Sequence, residues 1–110
     1  MNLLEETIEA IKQSGHEIED IVFIGSQSSG HSCTWSEFVF LANRYYDKGY
    51  GSQEVAFDLI IVFTDGSTMW REEYDGSEWW RYALQFKMPT ETKPIKTLFG
   101  AYASLAEINR

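Results

Sequence analysis

Four carboxylates lie close together in the second half of the chain. They are Glu72, Glu73, Asp75 and Glu78. Paired carboxylates can act as general acid and base when one of them is buried and its pKa is raised. Glu72 is the best placed for such a role, because a hairpin at Asp75-Gly76 sets it across from Trp79. The sequence holds no second carboxylate at a defined distance from it, so the pattern does not predict an enzyme.

Two possible metal ligands, His31 and Cys33, stand two positions apart. A zinc site needs three or four ligands, and the chain has one further histidine, His16. A Cys–His nucleophile needs a lowered thiol pKa, of which the sequence shows no sign. Residues 25–30 suggest a phosphate loop but lack its Gly-Lys-Ser/Thr ending. We therefore predict no catalytic residue, no metal site and no cofactor.

The chain is acidic, and its charge is uneven. The net charge is −8 over 110 residues, with −5 in residues 1–20 and +3 in residues 81–110. This balance argues against binding a phosphate backbone, which needs Lys and Arg. It suits a partner that is itself basic, such as a nucleic-acid-binding protein. The alternative is that the charge serves solubility alone.

The compartment is inferred from two absences in the sequence. Cys33 is the only cysteine, so no disulfide can form within the chain, and a reducing cytoplasm is the simpler setting. The N-terminal residues do not have the pattern of a signal peptide. No segment approaches the roughly 20 apolar residues that span a bilayer. We expect a soluble cytoplasmic protein without membrane contacts.

Two Asp-Gly steps ten residues apart define the expected sheet. They are Asp65-Gly66 and Asp75-Gly76. Asp-Gly between apolar runs is typical of a two-residue type I′ turn, which needs a positive φ at both central residues. The two steps predict a three-stranded antiparallel meander with strands at about 54–63, 67–74 and 78–86.

The remaining elements follow from apolar spacing. We predict a helix over about 2–14, a strand over 20–25 and a C-terminal helix along the apolar stripe from Ile95 to Ala106. Residues 34–46 fit a helix with a Thr34–Glu37 capping box, but the apolar run from Phe38 to Leu41 favours a strand over 34–42. The chain then forms one α+β domain over residues 1–110, a five-stranded antiparallel sheet flanked by N-terminal and C-terminal helices.

Two-residue turns would also fix which side chains share a face. They place Ile61 opposite Trp70, and Trp70 opposite Arg81. One face then holds Phe57, Leu59, Ile61, Phe63, Trp70, Trp79 and Arg81, and the other holds Ile60, Val62, Met69, Arg71, Trp80 and Tyr82. Both faces mix aromatic and charged residues. Either both are covered, or the outward one contacts a partner, a ligand or a second copy of the chain.

Three segments carry a resemblance to known proteins. They are Tyr45-Tyr-Asp-Lys-Gly-Tyr-Gly51, Glu54-Val55 and Glu73-Tyr-Asp-Gly-Ser-Glu-Trp-Trp80. In these segments, under half of the chain, the sequence resembles small uncharacterised proteins of bacteriophages and prophages. Small acidic phage proteins of this size often inhibit bacterial defence systems, and they include anti-CRISPR and anti-restriction proteins, some of which mimic DNA. The resemblance implies this context, with the host cytoplasm as the compartment of a phage-encoded protein, and assigns no residue a role.

We predict a non-enzymatic protein that inhibits a host defence or nucleic-acid-binding protein through an acidic, aromatic surface. The expected contacts are Glu72, Glu73, Asp75, Glu78 and Trp79 at the second hairpin, with Tyr46, Asp47 and Tyr50 as a second choice. One alternative is a small-ligand module in which Trp70, Trp79 or Trp80 stacks on a nucleotide or a sugar. Another is a toxin-immunity or structural phage protein.

Overall fold

A computed structural model of the chain describes residues 1–47, 49, 51–84, 86 and 88–110. The fold is α+β. Its elements are helix α1 (Leu3–Gln13), a 3₁₀ turn (Ile18–Asp20), strand β1 (Ile21–Gly25), helix α2 (Trp35–Ala42), strands β2 (Ile60–Phe63), β3 (Thr68–Tyr74) and β4 (Ser77–Tyr82), and helix α3 (Leu105–Ile108). The sheet has the order β1-β2-β3-β4, and neighbouring strands are antiparallel. The prediction of five strands is wrong.

The strand predicted over 34–42 is in fact helix α2, so the sheet does not contain it. Thr34 caps it: its hydroxyl accepts from the Glu37 backbone N–H at 3.2 Å, and the Glu37 carboxylate accepts from the Thr34 N–H at 2.9 Å. Phe38 and Ala42, one turn apart, face the core. Phe40 remains 84% exposed. The apolar run is therefore split between two sides of a helix, and the capping box was the better signal.

The C-terminal helix predicted from Ile95 to Ala106 is also wrong, because only Leu105–Ile108 is helical. Tyr102 has a φ of 60°, a left-handed conformation that a right-handed helix cannot include. Ser104 then caps α3 by accepting from the Glu107 N–H at 3.2 Å. The Asn109 carboxamide accepts from the backbone N–H groups of Lys96 and Thr97 at 2.7 and 2.9 Å. Side-chain hydrogen bonds thus order this segment where a helix was expected.

The two Asp-Gly steps form different turns. Asp75 and Gly76 have φ values of 52° and 86°, so the second turn has the two-residue form expected from the sequence, and Trp70 pairs with Arg81. At the first step the Phe63 N–H donates to the Ser67 carbonyl at 2.9 Å, which leaves three connecting residues, 64–66. Only Gly66 among them has a positive φ, at 86°. This is a three-residue hairpin loop rather than type I′.

A one-residue change in the register of strand pairing moves every side chain of the strand to the opposite face of the sheet. Ile60, not Ile61, pairs with Trp70, so the predicted faces are wrong for β2. The inner face holds Ile61, Phe63, Met69, Arg71 and Trp80, all of them buried. We call the opposite side the outer face; it carries Ile60, Val62, Trp70, Trp79 and Arg81. Helices α1 and α2 supply Ala10, Ile11, Phe38 and Ala42 to the core on the inner face.

The first turn is held by a histidine beyond the end of α1. His16 is buried and stacks on Phe63, with ring centroids 4.0 Å apart. Its Nδ1 lies 3.0 Å from the Ser14 hydroxyl oxygen, and its Nε2 lies 2.9 Å from the Asp65 carboxylate. The other Asp65 oxygen accepts from the Ser67 N–H at 2.9 Å. Because Asp65 is bound on both sides, it stabilises the three-residue loop.

The close approach of β1 to the loop that follows it makes Gly25 sensitive to substitution. A Cβ on Gly25 would overlap the His31 carbonyl oxygen, whereas a Cβ on Gly30 would meet nothing within 4 Å. Gly25→Ala should therefore lower the free energy of unfolding by about 1–3 kcal/mol more than Gly30→Ala. Gly30→Ala, at a φ of 79°, should cost about 1–2 kcal/mol. Urea denaturation measures both, and equal losses would contradict the predicted steric overlap.

Candidate functional site

The centre of the inner face is polar. Arg71 on β3 and Glu78 on β4 both have fully buried side chains, and Arg71 Nη2 lies 2.9 Å from Glu78 Oε1. The same nitrogen donates to the Tyr46 hydroxyl at 3.0 Å, and Nη1 lies 3.5 Å from Glu6 Oε2. The guanidinium carbon lies 5.0 Å from the centre of the Trp80 ring. We call Glu6, Tyr46, Arg71, Glu78 and Trp80 the arginine cluster.

The arginine cluster joins segments that are far apart in the chain. Glu6 comes from α1 and Tyr46 from the segment after α2, and the Tyr46 hydroxyl donates to the Glu6 carboxylate. The N-terminal ammonium donates to the Tyr46 carbonyl at 3.1 Å. The Trp80 indole N–H donates to the Thr7 hydroxyl at 2.8 Å. These bonds fix α1 across β3 and β4.

Glu78 also anchors the segment that precedes β2. Its two carboxylate oxygens accept from the backbone N–H groups of Glu54 and Val55, at 2.6 and 3.2 Å. Glu54 in turn accepts from the Asp47 N–H at 2.9 Å. The prediction that Glu78 is displayed at the hairpin tip is wrong, because it is 1% exposed, and Tyr46 is buried too, at 8%. Both hold the structure together from inside.

The other predicted contact residues lie nearer the surface. Glu73 and Asp75 are exposed at the β3–β4 hairpin, and the Glu73 carboxylate accepts from the Gly76 N–H at 3.1 Å. Glu72 pairs in register with Trp79 and forms an ion pair with Arg81 at 2.9 Å. Asp47 is exposed but lies away from this hairpin in sequence, and Tyr50 lies outside the described residues. The hairpin thus brings together four of the five first-choice residues near its surface.

The pKa values in the arginine cluster indicate a structural role. Burial raises the pKa of Tyr46, and its hydrogen bond to Glu6 raises it further, against an opposing effect of Arg71. Burial alone would lower the pKa of Arg71, but hydrogen bonds with Tyr46 and Glu78 and the charge of Glu6 raise it overall. Near neutral pH the phenol stays protonated and the guanidinium charged. Neither residue is poised to exchange a proton with a substrate.

The Cys33 thiol, at the end of the polar loop after β1, is not activated as a nucleophile. Burial raises the pKa of the Cys33 thiol, and the negative charge of Glu37 raises it further. A raised pKa lowers the thiolate fraction on which reactivity depends. His31 is exposed, and its Nδ1 lies 2.8 Å from the Ser29 hydroxyl oxygen. Among the residues that the structure describes, no group of three or more His, Cys, Asp or Glu side chains could hold a metal ion.

An open groove of about 340 Å³ runs between α1 and β4, and we call it the acidic groove. Its helix side carries Glu5, Glu6 and Glu9, and its strand side carries Trp79, Trp80 and Tyr82. β4 is an edge strand, paired only with β3 within the described chain. The sequence analysis assigned these helix carboxylates no role. The spacing of Glu5 and Glu9, one turn apart, was the available signal.

A second open groove, of about 660 Å³, lies on the outer face. We call it the outer-face groove. It is lined by Phe23, Ile60, Val62, Thr68 and Trp70, with Ser26, Gln27 and Gly30 of the loop after β1 at its margin. Trp70 is 38% exposed there. The groove is apolar because the register of the first hairpin directs Ile60 and Val62 outward.

No protein-family model, curated protein or solved structure matches this chain. No helix in the described part of the chain is long and apolar enough to cross a membrane.

We predict that substituting Arg71 lowers the free energy of unfolding far more than substituting Arg81 on the neighbouring strand. Arg71→Met removes the partner of a fully buried carboxylate and should cost about 3–5 kcal/mol of unfolding free energy. Arg81→Met breaks an exposed pair, in which Arg81 is 57% and Glu72 43% exposed, and should cost no more than about 1 kcal/mol. Guanidinium denaturation of both variants tests this. Similar small losses would show that Glu78 does not depend on Arg71.

The raised pKa of Tyr46 predicts that the stability of the fold decreases at alkaline pH. Because its pKa is raised in the folded state, its contribution is complete below the unfolded tyrosine pKa of about 10 and is lost as pH rises above it. Tyr46→Phe should cost about 1–3 kcal/mol at pH 7, and its deficit relative to wild type should shrink above about pH 10. Tyr74→Phe, at a 76% exposed position, is the matched control and should show little deficit at any pH. Urea denaturation at several pH values measures this, and a constant Tyr46→Phe deficit contradicts it.

Proposed function

We propose that this protein is a non-enzymatic acidic binding protein, and that it takes a basic, extended segment of a partner protein into the acidic groove. One observation supports this most directly. The carboxylates of Glu5 and Glu9 line one side of the groove, while Trp79 and Tyr82 line the other, on an edge strand. Negative charge, aromatic rings and a strand edge thus meet in one place.

Each part of the groove suits a different feature of such a segment. An edge strand offers backbone donors and acceptors to an added strand, which gives affinity with little regard to sequence. Carboxylates form charge-assisted hydrogen bonds with Lys and Arg side chains. The face of a Trp ring attracts a cation as well. An extended segment with Arg or Lys on one side therefore fits better than an acidic or an apolar one.

The groove is held in shape by contacts that do not involve the ligand. Glu6 is bound to the arginine cluster, and Trp80 is hydrogen-bonded to Thr7. The Tyr82 hydroxyl donates to the Gln13 carboxamide oxygen at 3.1 Å. These contacts connect the helix to the strand along the length of the groove. A preformed groove binds more tightly because less order is lost on association.

For the partner we propose a nucleic-acid-binding protein, with a host defence protein as the specific class. Such proteins carry basic surfaces, and a net charge of −8 favours association with them. Glu73 and Asp75 add negative charge at the hairpin that carries Trp79. The resemblance to small phage proteins supports the defence class. Inhibition would follow from occupying the basic surface that the partner uses for nucleic acid.

Charge removal in the groove tests the binding mode. Glu5→Gln with Glu9→Gln should weaken the binding of a synthetic peptide of alternating Arg and Val by at least about tenfold, since two charged contacts are lost. Glu17→Gln with Glu19→Gln removes the same charge outside the groove and is the matched control. Isothermal titration calorimetry at low salt measures both. Equal weakening in the two variants would show that only net charge matters, and no binding to wild type would exclude the groove.

The partner class is tested in a bacterial lysate. Wild-type protein should capture a basic nucleic-acid-binding protein that Glu5→Gln with Glu9→Gln fails to capture, as identified by mass spectrometry. Nucleic acid should compete with the protein for that partner, because both occupy the same basic surface. Capture that is unaffected by the substitutions, or by competing DNA, would contradict the proposal.

A further inference from the structure

The C-terminal part of the chain exposes many large apolar side chains. We call residues 88–110 the C-terminal arm. Its Met88, Ile95, Leu98, Phe99, Tyr102 and Leu105 are each at least half exposed, and Phe99 reaches 89%. Single exposed apolar residues are ordinary, but a concentration of this kind marks an interaction site. The arm therefore needs a surface to cover it.

The arm does not pack on the sheet and helices of its own chain. The radius of gyration is 18.1 Å and the longest extent is 52 Å. A compact chain of this length has a radius of gyration of about 13 Å. The difference agrees with an arm that lies away from the sheet and helices.

A matching surface lies open on the sheet. Helices α1 and α2 pack on the inner face, and no element of the described chain covers the outer-face groove. Phe23, Ile60, Val62 and Trp70 make this groove apolar. An apolar arm and an apolar groove thus remain uncovered in the same molecule.

Net charge favours contact between the C-terminal arm and the body of the protein, residues 1–80. Residues 1–80 carry a net charge of −11, whereas the arm, residues 88–110, carries +1; the two positive charges of residues 81–87 complete the −8 of the chain. Opposite charges on the two parts attract when the arm of one copy approaches the body of another. The acidic bodies alone would repel each other.

We propose that the C-terminal arm of one copy docks in the outer-face groove of a second copy, and that the exchange is reciprocal. The result is a two-fold symmetric dimer with two equivalent contacts. Each arm contributes 23 residues. A stable interface of standard size uses about 20–30 residues on each side. The dimer leaves the acidic groove, which lies between α1 and β4, open for a partner.

Oligomeric state tests the proposal on the full chain. Light scattering after size exclusion should give twice the chain mass of 12.7 kDa for wild type. Phe99→Asp in the arm and Val62→Asp in the groove should each give the monomer mass. Phe40→Asp, an 84% exposed aromatic on α2 outside both surfaces, is the matched control and should stay dimeric. Phe99 makes no core contact, so its variant remains informative even if Val62→Asp unfolds.

Mixed labelling distinguishes a second copy from the chain's own arm. A spin label is attached at Ala101→Cys, an exposed position of the arm, in a Cys33→Ser background, and this protein is mixed with ¹⁵N-labelled wild type. We expect broadening of the amide signals of three residues in the ¹⁵N-labelled copy, Ile60, Val62 and Trp70. A monomeric wild type at every concentration overturns the proposal, whether the groove then binds the chain's own arm, another protein or a small molecule. Broadening elsewhere in the second copy overturns it as well.

Discussion

The rest of the structure depends on the buried ion pair of Arg71 and Glu78. Burying two charges costs several kcal/mol unless their remaining donors and acceptors are bound. Here Glu78 accepts from Arg71 and from two backbone N–H groups, and Arg71 also contacts Tyr46 and Glu6, while its Nε is buried without a hydrogen-bond partner among the described residues. Through these bonds one pair connects α1, the segment after α2, the segment before β2, and the last two strands. The sheet alone would leave three of those segments without a common anchor.

An apolar pair at these positions would not serve the same purpose. Replacing a buried ion pair with well-packed apolar residues is often neutral or stabilising in other proteins. In this chain the Glu54 and Val55 N–H groups belong to a segment outside the sheet, and they need an acceptor. A carboxylate reaches both at once, and a methyl group accepts from neither. The charge on Glu78 is therefore explained by the backbone that it holds, and the charge on Arg71 by Glu78.

Rules based on neighbouring residues predict the local structure of this chain well where a local interaction dominates. They predict it poorly where a residue distant in sequence determines the conformation. Helix α1 and the Asp75-Gly76 turn follow from apolar spacing and from φ preferences. The first turn does not, because His16 lies 49 positions before Asp65 and binds its carboxylate. That single contact accompanies the change of register, which reverses the faces of β2 and places Ile60 and Val62 in the outer-face groove. The residues near Asp65 in the sequence do not indicate its contact with His16.

Glu78 shows a different kind of error, because the necessary signal was present. Strand alternation puts Glu78 on the same face as Trp80, and the expected pairing puts Arg71 on that face too. Its charge and its place near a turn suggested a solvated position instead. The period of the strand was the stronger indicator. The candidate site was harder to predict, since the acidic groove exists only when α1 packs beside β4, and no local pattern specifies that contact.

Glu6 connects the stability of the fold to its proposed function. Its side chain lines the acidic groove and also pairs with Arg71 and Tyr46. Arg71 offsets the charge of Glu6, so the attraction of the groove for a cation rests mainly on Glu5 and Glu9. Those two side chains lie on the helix that Glu6 fixes in place. One carboxylate thus positions the helix, while Glu5 and Glu9 lie outside the arginine cluster, so binding and folding depend on different residues of the same helix.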